Sequence, residues 1–186
     1  MRPPWRRSPI GHGSRRATAY RYFDSASDVV WQVYVDRRLP SVEDTLHGTD
    51  GDVLDRVLRA ERVINGYLFD DADGARNFER AMLERTLRGS AAPDDRPARR
   101  LAYIDAALEP LADRLEPADL ERTRMALALT MGSQVVPALL DTCKVDATTA
   151  REATRFAVRA IVSEALSRAT APVGAAGARA ARDGGT

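Results

Sequence analysis

An all-α fold is what this chain predicts, on three observations. Apolar residues recur at spacings of three and four along nearly the whole length from Arg16 onward, the period that lines one face of an α-helix. No segment alternates apolar and polar residues as a half-buried strand does, and no unit repeats. Hydrophobic residues make up 44% of the 186 and charged residues 30%, enough for a buried core and a hydrated surface. No run reaches the roughly 18 consecutive apolar residues that a membrane helix needs.

The elements follow in order. Residues 1–13 are rich in Pro, Gly and Arg without periodicity and are expected to be irregular. A short helix is predicted at about 15–23 and a second at about 26–38, with Ser25 and Asp28 as a capping pattern and Pro40 as the stop. Val53, Val57, Leu58, Ile64 and Leu68 predict a helix at about 51–67, and Phe78, Met82, Leu83 and Leu87 one at about 72–88. After the small and polar stretch Gly89–Pro97, Leu101, Ile104, Leu108, Leu111 and Leu115 predict a helix at about 97–115. Pro117 opens a long apolar helix to about Cys143, with a kink expected near 133–137 from Gly132 and Pro137. Asp146 or Thr148 caps a last helix to about Ala169, and the Ala, Gly and Arg tail 170–186 is expected to be disordered.

Composition excludes more than it names. One cysteine, Cys143, rules out an internal disulfide and any multi-cysteine metal site, and its apolar neighbours suggest an inert core thiol. The 28 basic residues are 27 arginines and Lys144, and there are two histidines, His12 and His47, so acid–base and Schiff-base chemistry have few carriers. No metal-ligand spacing, nucleophile elbow or phosphate loop is present. No enzyme activity, cofactor or metal is expected. Without an apolar run behind the first arginines there is no secretory pattern, and a cytoplasmic protein is expected. Net charge is +1, yet residues 1–23 carry six arginines and no acid, leaving all 27 acids against 22 Lys and Arg, a net of −5, in the rest. A basic end on an acidic body is either an electrostatic footprint for a polyanion such as DNA or a solvated arginine tail.

Arg15-Arg16-Ala17-Thr18-Ala19-Tyr20-Arg21-Tyr22-Phe23 is the segment richest in recognition chemistry. On a helix Ala19 and Phe23 share one face, Arg16 and Tyr20 another, and Thr18 and Tyr22 a third. Guanidinium, hydroxyl and phenol groups on exposed faces suit base edges and phosphate oxygens, and they also suit an ordinary hydrated surface. Followed by Ser25 and an apolar helix start, this order resembles the recognition helix and next helix of the tetracycline-repressor (TetR) family, over about Gly13–Val30. The resemblance implies a helix-turn-helix domain, a larger helical effector domain, a homodimer and a palindromic operator. By position it places Arg16, Ala17 and Thr18 at bases, Tyr20 and Tyr22 at phosphates, and Ala19 and Phe23 in the core. Ser14 stands where the family has an apolar residue, and Ala26 where it has a lysine near phosphate. About 14 irregular residues stand where the family has two further helices, so a partial helix-turn-helix is expected.

The expected organisation is therefore a partial DNA-binding region over 1–38, an effector-binding and dimerisation domain over 39–169, and the tail. Ala153, Ala157 and Ile161, with Phe156 beside them, and Leu127, Met131 and Val135 form stripes on the last two helices. They fit a four-helix dimer interface, or packing within one subunit. Tyr67, Phe69, Phe78, Met82, Tyr103, Met125 and Gln134 fit the lining of a pocket for a small apolar effector, and each also fits plain core. Two functions remain: a ligand-responsive TetR-type repressor, or a helical homodimer that binds a small molecule or partner without specific DNA binding.

Overall fold

The computed structural model describes residues 39–49, 52–89 and 99–170. The helices expected at about 15–23 and 26–38, with the candidate DNA contacts Arg16, Ala17, Thr18, Tyr20 and Tyr22, lie outside the described residues, as does the tail from 171. Among the described residues there are six α-helices and no strand: α1 (Val42–Leu46), α2 (Val53–Asp70), α3 (Ala72–Leu87), α4 (Arg99–Leu108), α5 (Pro117–Thr130) and α6 (Ala147–Arg168). A 3₁₀ turn, Glu109–Leu111, extends α4, and a π-helical turn, Pro137–Thr142, lies between α5 and α6. The all-α class read from the spacing is what the structure has.

Short polar side chains start the helices by accepting from amides that have no helical partner. Ser41 Oγ accepts from Asp44 N (2.9 Å), Asp52 Oδ1 from Leu54 N (2.9 Å), Asp71 Oδ1 from Gly74 N (3.1 Å) and Asp146 Oδ1 from Thr149 N (2.8 Å). Of the two candidate caps for the last helix, Asp146 is the one used. Pro117 begins α5, where its missing N–H is no loss. The five-residue α1 is absent from the sequence reading, although Ser41 followed by Asp44 carried its signal.

Helix α2 is the hub, packing against α1, α3, α4 and α6. Val57, Ala60 and Ile64 of α2 join Ile104 and Leu111, Leu127 and Met131, and Val158 and Val162 in one core. Two boundaries differ from expectation. The helix expected to run to about 115 leaves α-geometry after Leu108 because Pro110 has no N–H for the Ala106 carbonyl. Arg56 Nη2 donates to that carbonyl instead, at 2.6 Å.

The second difference is larger. The kink expected near 133–137 is a complete break: α5 ends at Thr130, Met131 is extended, and Gly132 has φ +132°. Side chains satisfy the exposed carbonyls there. Asn65 Nδ2 donates to Thr130 O (2.9 Å), Gln134 Nε2 to Ala128 O (2.9 Å), and Arg100 Nη1 to Met131 O (3.2 Å). Cys143, expected in the core, is exposed after the π turn. Of the expected tail, Thr170 is described, and its N–H donates to Arg114 O at 2.9 Å.

At φ +132° a side chain is strained, and a Cβ on Gly132 would lie 2.3 Å from Arg100 Nη1 and 2.6 Å from Gln134 Oε1. Gly132→Ala is expected to lower the unfolding free energy by about 2–4 kcal/mol, from backbone strain and displaced carbonyl partners. Urea titration measures it, and an unchanged midpoint would show that the break tolerates a side chain.

Candidate functional site on the last two helices

The chemistry around α5 and α6 begins with two polar residues on the apolar face of α2. Glu61 and Asn65 are fully buried, one turn apart. Glu61 Oε1 accepts from Asn65 Nδ2 (3.1 Å) and from Thr154 Oγ1 of α6 (2.7 Å). Glu61 Oε2 has no hydrogen-bond donor, and Arg155 Nε lies 3.7 Å from it. Asn65 Oδ1 accepts from Gly132 N at 3.2 Å. One turn of α2 thus holds the end of α5 and the first half of α6. These residues were not singled out in the sequence, yet they had a signal: positions 57, 61, 64, 65 and 68 share one helical face, and two of the five are polar.

With that support α5 and α6 pack antiparallel, since Thr170 bonds Arg114 and Arg168 Nη1 lies 3.5 Å from Asp119 Oδ1. A groove of about 340 Å³ runs between them, floored by Ala126, Ala160, Ile161 and Ala165 and edged by Arg122 and Glu164. Leu129 follows Ala126 by three residues and Phe156 precedes Ala160 by four, so both flank the groove. Phe156 is 76% exposed, Leu129 74% and Met125 54%. Single exposed apolar residues are ordinary, and three large ones lie on the outward side of these two packed helices.

This arrangement divides the stripes expected to form a dimer interface. Leu127, Met131 and Val135 are buried in the core of the single chain, so they cannot meet a second one. That half of the expectation is corrected. Leu127 and Leu129 are two residues apart, about 200° around a helix, so the outward residues of α5 are Met125 and Leu129. On α6, Ala153 and Phe156 are exposed, and Ala157 and Ile161 half-buried.

The expected effector-pocket residues are also scattered. Met125 lies on the outer face of α5, not on a cavity wall. Gln134 spends its amide on the end of α5, and its Oε1 accepts from Arg100 Nη1 at 2.7 Å. Tyr103 is buried, with its hydroxyl donating to Pro40 O. Burial pushes this phenol above its ordinary pKa, against the opposing effects of a hydrogen bond with Thr45 and the Arg99 charge. Tyr67 packs against the cluster that holds Tyr103 and Phe69, whereas Phe78 and Met82 are buried on α3 outside that cluster. Arg151 crosses the Phe69 ring at 5.4 Å and donates to Asp70 Oδ1 at 2.7 Å. A second hollow, among Val42, Leu46, His47, Arg56 and Ala106, contains none of the expected pocket residues. Among the described residues no group of three His, Cys, Asp or Glu is placed to hold a metal ion, and no helix is long and apolar enough to cross a membrane.

A fork of hydrogen bonds ties α3 to the turn that precedes α6. Arg76 Nε donates to Asp141 Oδ2 (3.0 Å) and Nη2 to Oδ1 (2.7 Å), while Nη1 reaches Asp73 Oδ1 at 2.8 Å. The Arg76 bond holds the Asp141 carboxyl below its ordinary pKa. A depressed carboxyl contributes stability that is present above its unfolded pKa and is lost as pH falls through the folded value. Asp141→Asn is therefore expected to flatten the acid side of the stability profile below about pH 4, with no change in that slope above pH 5. Unfolding titrations across pH 2–7 check it, and parallel profiles for the two proteins would rule out a contribution from this pair.

Compared with models of protein families, with curated proteins and with solved structures, the chain matches none.

Proposed function

We propose that this chain is a ligand-responsive, DNA-binding transcriptional regulator of the TetR type, acting as a homodimer through the outer face of α5 and α6. The observation that carries the reading is the segment Arg15–Phe23, with the Arg16, Ala17, Thr18, Tyr20 and Tyr22 order, in a chain whose first 23 residues hold six arginines and no acid. A two-fold pair places two recognition segments at a fixed separation, so operator symmetry follows from protein symmetry. The exposed Met125, Leu129 and Phe156 and the nearby apolar groove support a pairing through this face. In this reading a small apolar effector binds the helical body and releases DNA by favouring one arrangement of the two subunits.

The dimer is expected to weaken when its aromatic anchor becomes a charge. Phe156→Arg and Leu129→Arg should each raise the dimer dissociation constant by about a hundredfold or more, since a guanidinium in an apolar seam is desolvated without a partner. Sedimentation velocity over a concentration series reads this. Unchanged mass in both variants would place the interface elsewhere, and a wild-type monomer would remove it.

DNA binding is expected to fall steeply with salt, and Arg16→Ala, which removes a base contact, to cost about 1–3 kcal/mol and relax selectivity. Gel shifts at two salt concentrations on a library of palindromes also separate the two functions. Selection of one palindrome supports the repressor. Binding indifferent to sequence favours a homodimer that takes a small molecule or partner, and no binding at low salt overturns the DNA-binding reading.

A further inference from the structure

The connection between α5 and α6 has two halves held in different ways. Its first half, Met131–Val136, is clamped: Met131, Val135 and Val136 are buried, Asn65 takes Gly132 N, and Arg100 takes Met131 O. Its second half is not. None of Pro137–Thr142 is buried, and the turn is a π-helix, whose wide hydrogen-bond ring is less favourable than the α-helical one. The bonds that bound it are long, with Ala138 N–Gln134 O at 3.3 Å, Cys143 N–Ala138 O at 3.2 Å and Val145 N–Leu139 O at 3.4 Å. Lys144 closes the segment at φ +58°, a left-handed conformation that disfavours a side chain. Leu139, Leu140 and Val145 touch the core but are only partly buried. A partly exposed polar tie, the Arg76–Asp141 fork, joins this half to α3.

We propose that residues 137–145 form a strap that opens as a unit while the rest of the described structure stays folded, with the Arg76–Asp141 fork as its latch and the junction of Val136 and Pro137, next to the clamped first half, as its hinge. Opening costs one charge-assisted fork, a few long hydrogen bonds and the partial burial of three side chains, far less than global unfolding. It uncovers the apolar core beneath Leu139, Leu140 and Val145 next to the start of α6. The inference goes beyond the proposed function and does not rest on it.

Native-state hydrogen exchange on the full chain tests the strap amide by amide. In the wild-type protein the amides of Cys143 and Val145 are expected to exchange through a local opening, while those of Gly132 and of Ala60 and Ile64 in α2 exchange only with global unfolding. Arg76→Gln and Asp141→Asn, two independent ways to break the fork, should each speed exchange at Cys143 and Val145 by about tenfold and leave Gly132 and α2 unchanged. The double variant should add little to either one, because both remove the same fork. Exchange at Cys143 and Val145 as slow as in α2 would overturn the proposal. So would unchanged exchange in both variants, or acceleration shared with Gly132, which would move the hinge into the core.

Discussion

A helix that ends inside a protein leaves carbonyls that water cannot reach, and here the carboxamide of Asn65 resolves that problem for α5. Its N–H group takes the Thr130 carbonyl and its oxygen takes the Gly132 amide, so one side chain closes both sides of the break. Glu61, a turn earlier, accepts from the same carboxamide and from Thr154 on α6. The direction in which α6 leaves the core, and with it the position of Phe156 and the groove, depends on these two residues. Buried polar groups of this kind specify a geometry that apolar packing alone would leave loose, because each has one satisfying arrangement.

The surrounding helix ends and turns are joined by arginines. Arg56 donates to Ala106 O, Arg59 to His47 O, Arg100 to Met131 O, Arg114 to Thr170 O and Arg151 to Gly66 O. In each case a guanidinium reaches a main-chain carbonyl outside its own local turn. A planar fork with five N–H groups can bind a carbonyl and still meet a carboxylate or a ring, as Arg56 does with Glu109 and Arg151 with Asp70. Arginine is thus used throughout the described fold to reach main-chain carbonyls.

Periodicity made the helices legible, because the apolar face of an amphipathic helix is written at fixed intervals. The core positions Val57, Ile64, Ile104, Leu108 and Leu111 were readable for that reason. Facing was legible only in part. Leu127, Met131 and Val135 keep helical spacing, as a core stripe and an interface stripe both do, and spacing alone does not say which partner covers them. The outward residues Met125 and Leu129 follow once the inward ones are fixed. Glu61 and Asn65 stand on the apolar face of α2, but what they bond beyond that helix is not written near them. Their partners, Thr154 and Gly132, are 93 and 67 residues away. Gln134 was read by its chemistry as a polar point in a cavity, whereas its backbone neighbours made it a cap.

Pro110 removes the donor that the Ala106 carbonyl would have used, and Arg56, fifty residues earlier, supplies another. An ordinary helix end fills its last carbonyls from its own cap or from water. The C-terminal turn of α4 has no such independence, because its closing bond exists only while α2 lies against it. Pro110 thus ties the last turn of α4 to the packing of α2, because the donor for its carbonyl sits on the neighbouring helix.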